Sequence, residues 1–247
     1  MKNENNKIAI LVDGDNAQSK LLKPILEEVS KYGKVTIRRI YGDWTLNQMN
    51  SWKEILNDLS FTPIQKFSYT TGKNSTDTSL IIDAMDILHD KIVDGFCIVS
   101  SDSDYTGLAK RIREEGIFVM GVGEKKTPNA FVQSCEIFTY CENIQPEIVQ
   151  EPKTKSNSKT KKSTKPPTPK LSTDVTKVVD KAFDISVNEE EDAHIAQIGM
   201  NLRKINPSFD PRAYGYRNLT QLLRAMPEYD VIRNEVGGLN HPLVRRK

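Results

Sequence analysis

With 247 residues and a mass of 28.0 kDa, the chain exceeds one average domain, so one large domain or two smaller ones joined by a linker could each bury a core. The 35 Lys and Arg against 33 Asp and Glu leave a formal charge of +2, which decides nothing as an average and directs attention to how charge is spread along the chain. No segment reaches the roughly 18 apolar residues of a membrane span, and the three cysteines, Cys97, Cys135 and Cys141, lack C-x-x-C spacing, which speaks against a disulfide scaffold or a zinc site and for a soluble cytoplasmic protein.

In chain order, Ile8-Ala9-Ile10-Leu11-Val12 is an unbroken apolar run of the kind a buried strand needs. Ser19 to Tyr32 then carries Leu22, Ile25, Leu26 and Val29 at helical spacing, and Val35 to Tyr41 alternates as a strand does. Leu46 to Leu59 predicts a second helix and Thr62 to Phe67 a short strand. A third helix is expected over Thr76 to Leu88, with Leu80, Ile81, Ala84, Ile87 and Leu88 on one face. Gly95 to Val99 reads as a strand that can absorb Cys97 as a small hydrophobe. Ser103 to Glu115 reads as a helix ended by Gly116, and Ile117 to Val122 and Glu136 to Cys141 read as the last strands. Alternating strands and helices imply an α/β fold: a mostly parallel sheet with helices on both faces.

From Glu151 to Lys170 the chain reads EPKTKSNSKTKKSTKPPTPK, with no aliphatic or aromatic side chain to build a core. We read residues 149–170 as a basic linker between a first domain at 1–148 and a second at 171–247. In the second, helical patterns cover Asp174 to Ile185, Ala193 to Ile205 and Leu219 to Ala225, and a strand pair is expected around Gly237-Gly238. Three short helices with a terminal hairpin suggest a small winged-helix-like domain.

The acids fall where a parallel sheet places its ligands, beyond the carboxyl ends of strands. Asp13 and Asp15 follow the first apolar run, and Asp102 and Asp104 follow Ile98-Val99. Carboxylates gathered in one place raise one another's pKa unless a cation sits between them, and Mg²⁺ or Mn²⁺ suits such oxygen ligands. A lone Asp after a strand is more often a helix cap, and Asp104 could cap the helix beginning near Tyr105. That explains one residue, not the set. Asp77 opens the third helix; Asp83 could bond nearby backbone, and Asp86 should face solvent. Arg38, Arg39, Lys125 and Lys126 could line a path for a polyanion, although such charges are usually only solvated. His89, His194 and His241 have no metal-ligand companions.

The strings Ile10-Leu11-Val12-Asp13-Gly14-Asp15-Asn16, Gly72-Lys73-Asn74-Ser75-Thr76-Asp77 and Val99-Ser100-Ser101-Asp102-Ser103-Asp104-Tyr105 are similar, in this order, to the NYN family of PIN-like nucleases. Arg39-Ile40-Tyr41-Gly42-Asp43-Trp44 and Lys126-Thr127-Pro128-Asn129-Ala130-Phe131 resemble bacterial members. The resemblance spans most of residues 7 to 145 and implies a metal-dependent ribonuclease, with Asp13, Asp77, Asp102 and Asp104 as the acidic quartet that holds Mg²⁺ or Mn²⁺. It implies substrate-contacting roles for Asn16 and for Lys73, which stands one residue further from the acid than is usual in the family. Asp15 would lie behind the metal ligands, and Glu136 would hold a structural position. Ser100, Ser101, Thr106 and Thr127 could donate to phosphate oxygens, though residues beside turns more often bond backbone.

After the linker, Ile198-Gly199-Met200-Asn201-Leu202-Arg203-Lys204-Ile205-Asn206-Pro207, Tyr214-Gly215-Tyr216 and Leu219-Thr220-Gln221-Leu222-Leu223 are similar to the OST-HTH or LOTUS module, which implies RNA binding or protein contacts. Leu202, Phe209, Leu219, Leu222 and Leu223 read as core. Arg203, Lys204, Arg212 and Arg217, with Arg224 and Arg233 beyond them, are the candidate phosphate contacts.

The reading is therefore an endoribonuclease that hydrolyses RNA, single-stranded or structured, with an attached RNA-binding module. A catalytically silent RNA-binding or protein-interaction regulator is the alternative from another class. An aspartyl-phosphate phosphatase would explain Asp13-Gly14-Asp15, but that class favours Thr or Val where Asn16 stands and needs wider spacing than Asp102-Ser103-Asp104.

Overall fold

A computed structural model describes residues 6–67, 75–144, 171, 173–188, 191–236 and 239–247. They form two compact units. The first is a six-stranded sheet with its strands and helices in the order β1 (Lys7–Asp13), α1 (Leu22–Val29), β2 (Lys34–Gly42), α2 (Asn50–Asp58), β3 (Thr62–Gln65), α3 (Ser75–His89), β4 (Gly95–Val99), α4 (Thr106–Glu114), β5 (Phe118–Gly123), α5 (Asn129–Ser134), β6 (Ile137–Tyr140) and α6 (Cys141–Ile144). Short 3₁₀ turns at Ser19–Leu21, Asn47–Met49 and Ser103–Tyr105 lead into α1, α2 and α4.

The strand order is β3-β2-β1-β4-β5-β6, with every neighbouring pair parallel. The direction of winding reverses between β1 and β4, and that switch point opens a crevice at the carboxyl ends of these two strands. Period-two alternation along β1 divides the core. Ile8, Ile10 and Val12 pack with Leu22, Ile25 and Val29 of α1 and with Trp52 and Leu56 of α2. Ala9 and Leu11 face the other way, onto Leu80 and Ala84 of α3 and Leu108, Ala109 and Ile112 of α4. Asp13 has the parity of Ala9 and Leu11, so its side chain emerges on the side of α3 and α4.

Helix α3 is tied to β2 by side chains. Asp83 accepts hydrogen bonds from Arg39 and from the Tyr41 hydroxyl. Asp83 thus bonds side chains of the sheet, not nearby backbone, and Arg39 is engaged in an ion pair where a polyanion path was conceivable. Arg38 likewise donates to the Leu59 carbonyl at 2.8 Å. Asp86 is exposed, as expected.

The sequence passed over α5 and α6, which are six and four residues long. Too few turns repeat there for helical periodicity to show. The last strand is also shorter than Glu136 to Cys141, because Cys141 already starts α6.

The chain after residue 170 holds α7 (Thr173–Ser186), β7 (Asp192–His194), α8 (Ile195–Ile205), α9 (Leu219–Ala225), β8 (Tyr229–Ile232), β9 (Glu235–Val236), β10 (Leu239–Asn240) and β11 (Leu243–Arg246). Strands β9 and β10 are the expected hairpin pair; Gly237 and Gly238 lie outside the described residues. A three-stranded sheet, β7-β11-β8, accompanies it. Its strand β7 takes Ala193 and His194 out of the helix expected from Ala193, because Ala193 and His194 pair with Val244 and Leu243. Arg245 of β11 forms a bidentate pair with the buried Asp192 at 2.8 Å and 2.8 Å. Residues 149–170, read as a linker, lie outside the described residues. Among the described residues no helix is long and apolar enough to cross a membrane.

Candidate metal centre

Three of the expected acids converge. Asp77 at the start of α3 and Asp102 and Asp104 beyond β4 offer carboxylate oxygens that all lie within 4.8 Å of one another. Asp102 accepts the backbone N–H of Asp104 at 2.9 Å and so caps the 3₁₀ turn at Ser103–Tyr105. The capping role thus falls to Asp102 and not to Asp104. The bond fixes the rotamer of Asp102 through one oxygen and leaves the second to bind elsewhere.

Asp13 stands apart from that trio, fully buried at 0 % exposure. Its Oδ2 accepts from Asn16 Nδ2 at 2.9 Å and from the Ser100 hydroxyl at 2.8 Å. Its Oδ1 is buried with no hydrogen-bond partner. Burial pushes its carboxyl above the ordinary range; the bonds from Asn16 and Ser100 pull it back, and the charges of Asp77 and Asp15 push it up again. Asp77 is raised by burial as well, against a 2.6 Å bond donated by the Tyr105 hydroxyl, with Asp102, Asp104 and Asp15 adding to the rise. Desolvated carboxylates crowded together, one with an orphaned buried oxygen, suit a hard divalent cation, which would supply the missing positive charge.

The turn after β1 needs Gly14. A Cβ there would stand 2.8 Å from the Tyr41 carbonyl oxygen and 2.9 Å from Ile40 Cγ2. Only a glycine lets the acidic turn lie this close to β2.

The remaining expected residues are placed as follows. Asn16 orients Asp13. Ser100 does so too, while its oxygen accepts the Asp102 N–H at 3.1 Å, so this hydroxyl serves the acids. Ser101 accepts the Glu124 N–H at 2.9 Å and keeps its own proton to give. Thr127 is buried and donates to the Glu124 carbonyl at 2.6 Å, the backbone bond anticipated for residues beside turns. The Thr106 hydroxyl oxygen is buried without a partner. Lys73 lies outside the described residues. Lys126 pairs with Glu124 at 2.8 Å, and Glu136 is exposed just ahead of β6. Tyr105 was missed: a tyrosine after two acids gives no sign that its hydroxyl crosses to α3. After residue 170, Arg203, Lys204 and Arg217 are exposed, whereas the Arg212 guanidinium is held by Asp210 at 2.7 Å.

The NYN domain family model matches residues 7–145, more than half of the 247 in the chain. The chain belongs to the NYN domain family. A second match, to the OST-HTH/LOTUS domain, covers residues 167–241. The NYN part is similar to an uncharacterized protein of Methanocaldococcus jannaschii, 28% identical over 122 residues, which are 48% of this chain and 48% of the relative. The chain thus spans about half the length of this curated relative. Among solved structures, a protein of unknown function from Vibrio parahaemolyticus is 21% identical with a TM-score of 0.47, over 57% of this chain and 95% of that one. An uncharacterized protein of Nitrosomonas europaea is 28% identical with a TM-score of 0.30, over 38% and 90%.

Proposed function

We propose that this NYN protein is a metal-dependent endoribonuclease, using Mg²⁺ or Mn²⁺ held by Asp13, Asp77, Asp102 and Asp104, with its OST-HTH/LOTUS domain binding the RNA. The observation that carries the reading is the convergence of the Asp77, Asp102 and Asp104 carboxylates beyond the strand ends, together with the buried, unpartnered Oδ1 of Asp13 at the end of β1. A divalent ion there would neutralise charge on a phosphodiester and acidify a water. The chain's own work is positioning. Asn16 and Ser100 occupy one oxygen of Asp13 and leave the other for the ion; Tyr105 orients Asp77; the Asp104 N–H orients Asp102. Ser101 and Asn16 retain protons for phosphate oxygens, and Lys73 and Thr106 complete the proposed substrate contacts, while Thr127, whose hydroxyl is given to the Glu124 carbonyl, supports the turn beside them. No nucleophilic side chain is needed, since water attacks.

We assign the chemistry to residues 1–148, RNA affinity to 171–247 and the connection to 149–170. Exposed Arg203, Lys204 and Arg217, together with Arg212, are the proposed phosphate contacts of the OST-HTH/LOTUS domain. Labelled single-stranded RNA should be cut with Mn²⁺ or Mg²⁺ and remain intact with EDTA. RNA binding without cleavage would instead favour a silent regulator, and hydrolysis of p-nitrophenyl phosphate without RNA cleavage a phosphatase.

A further inference from the structure

The Gly14–Ala17 turn that follows Asp13 also forms one wall of a second feature, an open groove of about 310 Å³ between this turn and the start of α2. Its accessible groups are Asp15, Gln18, Ser19, Lys20, Gln48 and Ser51. Gln48 lies in the 3₁₀ turn before α2 and Ser51 in the first turn of α2, and both are exposed. Gln48 Nε2 reaches Asp15 Oδ1 at 3.4 Å, joining the two walls. Trp52 lines the floor but is 2 % exposed, so no ring face is offered for a base to stack on.

The chemistry of these groups selects a ligand. A phosphate subsite gathers cations, and here Lys20 stands against the carboxylate of Asp15, which repels phosphate. Neutral amides and hydroxyls beside a carboxylate are instead suited to a group that both donates and accepts, as a ribose 2′-hydroxyl does. The volume is at the lower end of small-molecule sites, the scale of one nucleotide, and the open ends let a chain pass through. The Asp15 carboxylate that lines the groove is close enough for its charge to act on both Asp13 and Asp77, so a nucleotide bonded to Asp15 would adjoin a phosphate at the acids.

Building on the nuclease reading, we propose that this groove holds the nucleotide next to the scissile phosphate and reads its 2′-hydroxyl, with Gln48, Ser51 and Asp15 as the specificity-determining residues that favour RNA over DNA. Asp15 accepts a hydrogen bond from the hydroxyl, and Gln48 Nε2, or the Ser51 hydroxyl on giving up its long 3.4 Å bond to the Gln48 carbonyl, donates to its oxygen. Because Gln48 and Ser51 are exposed and lie outside the acid cluster, replacing them leaves the core and the metal ligands untouched.

The test compares the full-length wild type with the double variant Gln48→Ala/Ser51→Ala. The substrates are one RNA oligonucleotide and a set in which each position in turn is 2′-deoxy. In the wild type, one deoxy position beside the cleaved bond should lower kcat/KM by up to about tenfold, the effect of one or two neutral hydrogen bonds. In the double variant the same replacement should cost less than about twofold, with kcat on the all-ribose substrate nearly kept and KM raised. A variant that retains the whole deoxy penalty, or a wild type indifferent to deoxy at every position, overturns the proposal. Should the wild type cut no RNA, the nuclease reading falls, and the groove is then judged by binding alone. There the double variant must lose affinity for RNA but not for DNA of the same sequence; equal loss for both, or no loss, overturns it.

Discussion

Asp102 does two things at once, capping a 3₁₀ turn and offering a carboxylate oxygen to the cluster. Asparagine caps about as well as aspartate but carries no charge, so Asp102→Asn separates the roles. The fold and RNA affinity should be kept while the cleavage rate drops by orders of magnitude; an Asn variant cleaving at the wild-type rate would remove Asp102 from the site. Asp13 makes the complementary case. Its folded pKa is raised, so its contribution to the stability of the metal-free protein is fully present below the ordinary carboxylate pKa and is lost as pH rises from there through the raised value. Bound metal should reverse this, because it stabilises the ionised form. At metal concentrations near 100 times Kd, Mn²⁺ should add about 2.7 kcal/mol to wild-type stability and almost nothing to Asp13→Asn, as read by thermal melting at pH 7. These acids were legible because strand ends and a helix start are where ligands collect. Their supports were not: nothing in Ser100 or Tyr105 as letters says that one hydroxyl reaches Asp13 and the other reaches α3.

At the scale of elements, the site depends on where α3 sits, since Asp77 rides on its first turn. Asp83, on the same helix, holds Arg39 and Tyr41 of β2 and anchors it. Burial and the Asp83 charge keep the Tyr41 hydroxyl protonated. Asp83→Ala strands a buried hydroxyl and a half-buried guanidinium, which should cost about 2 to 3 kcal/mol in urea unfolding. It should also weaken metal binding, although Asp83 touches no ion. A variant with unchanged urea midpoint and metal affinity would show that α3 is held by its apolar face alone. That apolar face was readable, because Leu80, Ala84 and Ile87 recur at helical spacing along fifteen residues. So were β1 and β4, continuous apolar runs as strands buried on both faces must be. The strand order was not readable: it depends on which face each crossover covers, and every parallel arrangement would show the same local periodicity.

For the whole molecule, the acids all precede residue 145 and the arginine-rich pattern follows residue 200, so affinity and chemistry are expected to be separable. The expected boundaries rest on composition, since a stretch of Lys, Ser, Thr and Pro cannot bury a core. Division of labour between the units is a claim about free energies that sequence cannot carry. It has a measurable form in the full chain. Lys204, Arg217 and Arg224 are exposed in the OST-HTH/LOTUS domain. If each neutralises one phosphate, the triple change to Ala should flatten the slope of log affinity against log salt by about 2, at roughly 0.7 per single-stranded contact. KM should rise with it. The rate at saturating RNA should stay near wild type, because tethering raises local substrate concentration without touching the transition state. A triple variant with unchanged affinity and salt slope would assign this domain to a protein partner, and one that lost its saturated rate would place these charges at the cleavage site itself.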